Sequence, residues 1–348
     1  SAIYGSRGAN GVIMITTKHA ATGATSVTIR QQTTISEFSS KLNIWRDPAL
    51  MAQLNNEGRV NAGLTPLFNG SVNSSGVYYP SVEELMTTWT TRTNWENLVF
   101  RDAPVSNNTT ATVSSSNERT VFNLSANYFD DKGMYIKDNY KKGGYNLSID
   151  HKVFDTFKVK FSNILTAGWR NDNGGLAYWR SPIYPVYNDD GSYYLTNSQD
   201  YSHPIALTEN RLNKTKTLDV ITSLALEWKI LPELKLTSQG NYKFGKSTGD
   251  RYYPKVYTEA GTMNNGQGEI SNWESNSIVW DTYANFSKTF GKHSVGAMMG
   301  CSWEYYNERS STLVGRDFVN ESLRNENLSS GSPEKYNVAN GYSTSTLL

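Results

Sequence analysis

The sequence predicts an all-β protein: an antiparallel transmembrane β-barrel, incomplete at about nine strands, with short helices in its first long loop. Three observations predict it. Apolar and polar residues alternate with period two over segments of barrel-strand length. Short breaks alternate with long polar stretches between these segments. The composition is 37% hydrophobic but 12% aromatic, with 22 Tyr and 9 Trp. That mix is poor for a thick apolar core and suits a wall that is polar inside and carries aromatic girdles outside.

Other classes fall away on the same numbers. Thirty-three basic residues balance 32 acidic ones, so no electrostatic field points to nucleic acid. No apolar run is long enough for a transmembrane helix, which says nothing against strands that alternate. The single Cys301 excludes an internal disulfide framework. No signal peptide opens the chain at Ser1 although the predicted location requires export, so the sequence reads as lacking its N-terminus.

The chain opens on SAIYGSRGANGVIMITTK, in which Gly5, Gly8 and Gly11 flank Arg7 and Asn10 and lead into the β-branched run Val12 to Thr17. Glycine at this density marks close backbone approach or positive φ, and the run after it reads as a strand buried on both faces. The spacing matches neither a dinucleotide fingerprint, which precedes a helix, nor a phosphate-binding loop or nucleophile elbow. Residues 1–23 are expected to be the terminal strands of one domain, and 24–348 the first part of a barrel.

Within 24–348 the expected strands begin near Val27 to Ile35. A long connection follows, from Glu37 to Asn108, with two helices. Asp47-Pro48 is an N-cap and first-turn pair opening a helix over Ala49 to Asn61 that Gly63 closes. Ser81 and Glu84 form a capping box before Leu85. A strand near Thr109 to Ser115 then descends, and others rise and fall in turn. The alternation is clearest over Leu218, Val220, Thr222, Leu224, Leu226, Trp228 and Ile230, against Asp219, Ser223, Glu227 and Lys229. Phe122 to Tyr128, Tyr145 to Val153, Phe157 to Trp169, Leu234 to Phe244 and Ile278 to Phe290 repeat it. Tight breaks fall near Ser116 to Arg119, Phe154 to Thr156, Leu231 to Glu233 and Gly291-Lys292, and polar loops at about 130–143, 171–215 and 250–276. The ninth strand, near Ser294 to Tyr306, rises and leaves Ser343 to Leu348 in an outer loop. An odd count ending outside cannot close a bacterial outer-membrane barrel, so the sequence reads as a fragment.

The opening stretch Ala2 to Lys18 resembles the signature that ends the plug domain of SusC/RagA-type TonB-dependent outer-membrane transporters, with Tyr4, Gly5, Arg7, Gly8, Asn10 and Gly11 on the signature positions. Thr93-Asn-Trp95, Val99-Phe100-Arg101, Thr120 to Gly133 and Tyr145 to Lys152 resemble the early barrel of that family. The chain departs from its pattern at Asn94, where Asp is common, and at Ser114 to Ser116, where Gly-Gly-Ser is usual. Past about residue 170 the resemblance is one of architecture only. It implies a whole protein about three times longer, built on a plugged barrel of about 22 strands. It also implies residence in the bacterial outer membrane, a SusD-like surface lipoprotein and a TonB-type energy transducer as partners, and an oligosaccharide or peptide as cargo. No catalytic residue and no cofactor are implied.

The residues by themselves offer little chemistry. His19, His151, His203 and His293 lack metal-ligand spacing, and His151 reads as a rim histidine. Asp130-Asp131 reads as a hairpin turn. Asn-x-Ser triplets such as Asn123 to Ser125 fall inside expected strands and reflect lumen polarity. The segment from Arg170 to Lys214 is rich in aromatics. Tyr178, Trp179, Arg180, Tyr184 and Tyr187 are its candidates for lining a substrate vestibule, with loop anchoring or partner packing as the alternative. Two other functions compete: a siderophore or cobalamin receptor of the same class, and a secreted β-rich carbohydrate-binding protein. The second requires the apolar rows to face a closed core.

Overall fold

The computed structural model describes residues 23–39, 46–74, 76–172, 180–196, 203–332 and 337–347. The stretch predicted to be plug, with Tyr4, Gly5, Arg7, Gly8, Asn10 and Gly11, lies outside the described residues, as do Tyr178 and Trp179.

In chain order the elements are β1 (Gly23–Ile35), α1 (Pro48–Asn61), β2 (Ser71–Val72), β3 (Tyr78–Tyr79), α2 (Val82–Thr87), α3 (Trp95–Val99), β4 (Val105–Ser116), β5 (Thr120–Lys132), β6 (Asn139–Phe154) and β7 (Phe157–Asn171). They continue with α4 (Pro204–Asn210), β8 (Leu212–Leu231), β9 (Leu234–Tyr253), α5 (Glu259–Met263), β10 (Gln267–Phe290), β11 (His293–Arg316), a 3-10 segment (Arg324–Ser330) and β12 (Asn337–Leu347). Apart from the β2–β3 hairpin, the strands form one antiparallel sheet of ten in the order β1-β4-β5-β6-β7-β8-β9-β10-β11-β12. It is an open section of barrel wall, with β1 and β12 at its edges.

One end of the wall carries connections of two or three residues, at 117–119, 155–156, 232–233 and 291–292. The other carries 36–104, 133–138, 172–211, 254–266 and 317–336. Length sorting of this kind is the signature of outer-membrane barrels, with tight periplasmic turns and long outer loops.

Side-chain rows cross the whole sheet in register, and the two faces differ. On one face Phe122, Ile149, Phe161, Leu224, Gly240, Trp280 and Trp303 lie side by side, each opposite the next. One residue along, Asn123, Ser148, Ser162, Ser223, Asn241, Val279 and Glu304 make the corresponding row of the other face. The first face is apolar and uncovered, with Ile29 at 74% and Met299 at 83% exposure. Its few polar groups bond one another. Asn163 Nδ2 donates to Thr222 Oγ1 at 2.7 Å, Trp280 Nε1 to Ser238 Oγ at 3.1 Å, and Ser238 and Thr282 share a hydroxyl bond of 2.9 Å. In hydrocarbon each such group left alone would cost several kcal/mol, roughly. Trp280 lies flat across Gly240, where an added Cβ would sit 2.6 Å from the ring; only glycine admits that packing.

Among the described residues the apolar core cluster is not in the sheet. It lies in the outer connections, where Ala49, Ala52, Phe68, Leu85 and Ile183 are buried, with Met51, Leu67, Tyr79, Val82, Trp89 and Tyr184 packed around them. The helices form as expected. Asp47 caps α1 by accepting from Ala49 N at 2.9 Å, and the Ser81–Glu84 capping box closes both ways at 3.1 and 2.6 Å. Asn94, where the resembled family favours Asp, caps α3 equally by accepting from Asn97 N at 3.2 Å.

Several expectations need correction. The sheet has ten strands, in keeping with the open barrel section of about nine expected, but β12 occupies much of the stretch read as an outer loop. The strand count in the sheet is even, not the odd number expected. Strands also run further outward than the alternation suggests, with β10 and β11 each spanning 24 residues. A ladder is held by backbone hydrogen bonds, so it continues above the apolar band where side chains on both faces turn polar and the pattern fades. Asp130-Asp131 is strand for the same reason: Asp130 pairs with Lys141 at 3.6 Å, and Asp131 accepts from Ser106 Oγ. His151 lies near the short-turn end of β6, sharing a 2.8 Å bond with Thr120 Oγ1.

Candidate functional site

The polar face and the cap at its long-loop end carry the polar and aromatic side chains of the candidate site. Near the short turns, Glu227 bridges Lys160 at 2.7 Å and Lys235 at 2.8 Å, and Glu233 meets Lys288 at 3.1 Å. Glu227, Glu233 and Lys235, with Asp155, Lys158 and Lys229, border a hollow of about 420 Å³. Paired charges of this kind hold water and polar groups at the wall. They form no nucleophile and base arrangement, and no metal-ligating cluster occurs among the described residues.

At the outer end, 180–196 packs down onto α1, α2, α3 and α4. Arg180 is 5% exposed. Its guanidinium stacks on Trp95 at 5.2 Å and Tyr184 at 5.4 Å, and Nη2 donates to Tyr194 O at 2.8 Å. Tyr184 stacks on Tyr194 at 5.7 Å, and burial pushes its phenol well above the usual tyrosine range. Of the vestibule candidates, Arg180 and Tyr184 thus serve packing within the cap. Tyr187 stays 47% exposed beside Tyr193, with ring centres 5.6 Å apart. Tyr193 also contacts His203 and Tyr257, tying the cap to the 254–266 loop.

His203 carries a role the sequence reading missed. It caps α4, with Nδ1 accepting from Ala206 N at 3.1 Å while Nε2 donates to Val186 O at 2.9 Å. The two contacts together fix the neutral tautomer with the proton on Nε2. The available signal was His203-Pro204, a cap followed by proline at the first helical position. Trp95 was legible only through the resemblance, yet its indole N–H holds Ser181 O at 3.0 Å and so seats the Arg180 segment.

An uncovered apolar face, a polar face behind it and loops sorted by length are on one sheet. Protein comparisons agree with this geometry. TonB-dependent receptor P3 of Formosa agariphila is 20% identical over 346 residues, covering 95% of this chain and 32% of the relative. TonB-dependent receptor SusC of Bacteroides thetaiotaomicron is 22% identical over 340 residues, covering 88% and 31%. The chain resembles TonB-dependent receptors of the SusC/RagA type. The RagAB peptide transporter superposes with a TM-score of 0.74 over 99% of this chain and 42% of that one, at 18% identity. The RagAB peptide importer in its closed-closed state gives 0.73 at 15% identity, over 99% and 41%. The fold is therefore that of a section of the RagA barrel. No family model matches. The chain spans about a third of the length of the curated relatives it matches.

Proposed function

We propose that the chain is part of the channel subunit of a SusC/SusD-like pair that imports an oligosaccharide or peptide across the bacterial outer membrane, driven through TonB. The observation that carries this reading is the pair of faces: apolar rows continuous across the wall and open to their surroundings, backed by rows of Ser, Asn and charged residues. A secreted carbohydrate-binding protein would stack the apolar rows into a closed interior, and the sheet has none. In this reading residues 1–23 end a plug and 24–348 begin the barrel. The wall meets outer-membrane lipid, a surface lipoprotein closes the outer end, and no step is enzymatic.

Support also comes from the receptors and importers the chain resembles, and from the helical cap, which a lid protein could seat on. Tyr178, Trp179 and Tyr187 are the proposed vestibule contacts; Tyr4, Gly5, Arg7, Gly8, Asn10 and Gly11 are the proposed close-packing end of the plug. Uptake of the cognate nutrient should be lost on removing the energy transducer, and a lipoprotein should co-purify. Tyr178→Ala with Trp179→Ala should weaken uptake. Transport that survives without the transducer, or a purified complex without any lipoprotein, would overturn the reading; the latter would favour a siderophore or cobalamin receptor.

A further inference from the structure

Trp273 stands apart from the other tryptophans. It lies on β10 at odd parity, the polar face, between Ser247 of β9 and Ser310 of β11. The outward positions beside it are Asn272 and Glu274, with Asn276 next, so this part of the wall has passed beyond the apolar band that ends at Ile278. Five residues of strand at about 3.3 Å each, tilted by about 40°, place the indole about 13 Å above that edge. The six-membered ring of the indole lies over Gly245, where an added Cβ would sit 3.0 Å from Cζ3 and 3.2 Å from Cη2. The residue, on the polar-parity face, remains 36% exposed. Trp89, Trp95 and Trp280 donate their indole N–H groups to Ile183 O, Ser181 O and Ser238 Oγ. The N–H of Trp273 has no partner among the described residues.

Its surroundings are small and hydroxylated. Ser275 is next on the same face, and opposite Ser275 stand Gly245 on one side and Glu308 on the other. The indole is therefore a flat apolar ring beside serine and glycine, with the carboxylate of Glu308, which also accepts from Tyr306 OH, one row away. An aromatic face is negative and attracts C–H groups, while serine hydroxyls and a carboxylate bond O–H groups. The solute that presents both at once is a pyranose ring, with a C–H face and a rim of hydroxyls.

We propose that Trp273 is a stacking platform for one sugar ring of a neutral oligosaccharide, a binding subsite on the inner wall above the membrane. The proposal rests on the import reading and narrows its cargo to carbohydrate. The test uses the intact protein in detergent, titrated with labelled hexaoses (α-1,4-glucan, β-1,4-glucan, β-1,3-glucan, β-1,4-mannan and β-2,6-fructan) and with a pool of hexapeptides. The wild type should bind at least one hexaose. Trp273→Ala should weaken that binding about tenfold, equivalent to ~1.4 kcal/mol, and Trp273→Tyr should recover most of it. Equal affinity of wild type and Trp273→Ala would overturn the subsite, as would Trp273→Tyr losing as much as Ala, or binding of peptides alone or of no probe. Energy-coupled uptake in the same strains separates the two claims. TonB-dependent uptake that ignores Trp273 removes only the subsite, whereas uptake without TonB removes the import reading itself.

Discussion

Leu224 offers the sharpest measurement of which face meets lipid. On β8 the apolar parity runs from Ile230 to Leu218, and Leu224 lies midway, opposite Phe161 and Gly240. Twelve residues at about 3.3 Å, tilted by about 40°, give a band about 30 Å tall, close to the hydrocarbon thickness. Leu224 therefore sits near the midplane with 39% of its surface open. Arginine there should cost about 2–4 kcal/mol, and at Leu218 on the rim about 0–1 kcal/mol. Gln239→Arg is the control on the polar face, where the side chain stands between Ala225 and Asp281. It should change stability by no more than about 0.5 kcal/mol. The assay is folding of the intact protein into phospholipid vesicles, titrated with denaturant and followed by tryptophan emission. The expected order of cost is Leu224→Arg well above Leu218→Arg, with Gln239→Arg near zero. If Leu224→Arg costs under about 0.5 kcal/mol, that face is wet and the reasoning fails. If Gln239→Arg costs as much as Leu224→Arg, both faces are buried and it fails equally.

Two further outcomes follow from local geometry. Gly240→Ala would place a Cβ 2.6 Å from the Trp280 ring, so the indole must shift and give up its bond to Ser238. A loss of about 1–3 kcal/mol in the same vesicle assay is expected, and an unchanged midpoint would show the ring is free to move. In the cap, Tyr78 donates to Glu84 Oε1 and the Ser81 N–H to Oε2, each at 2.6 Å, and these bonds hold the Glu84 carboxyl below its usual range. The folded-state value is depressed, so this stabilisation is present above the unfolded value and is lost as pH falls through the folded one. Amide protection factors over residues 81–88, corrected for the intrinsic pH dependence of exchange, should fall on acidification in wild type, and Glu84→Gln should flatten that dependence; parallel profiles would remove Glu84 from the cause.

Local signals in the sequence carried most of the wall. Alternation named the outward residues of β5 to β10 correctly, since a period of two places side chains on opposite faces wherever the strand pairs. The Asp47 and Ser81 caps were legible because they are contacts within four residues. The vestibule candidates were harder to place. The aromatics of 180–196 stand out by type, but Arg180 and Tyr184 turn inward because Trp95 and Tyr194, distant or unremarkable in sequence, lie beside them. Trp273 escaped notice because its neighbours Asn272 and Glu274 are polar and gave no alternation to place it on a face.

The chain by itself determined that there would be strands, where the tight turns fall, and which side chains share a face. Each follows from steric and hydrophobic preferences acting over a few residues. Only the tertiary structure decided how far the ladders extend, that a tenth strand joins the sheet, and which polar side chains come to stand beside a particular ring. Those depend on backbone pairing and on contacts between residues far apart in the chain, which no local pattern encodes.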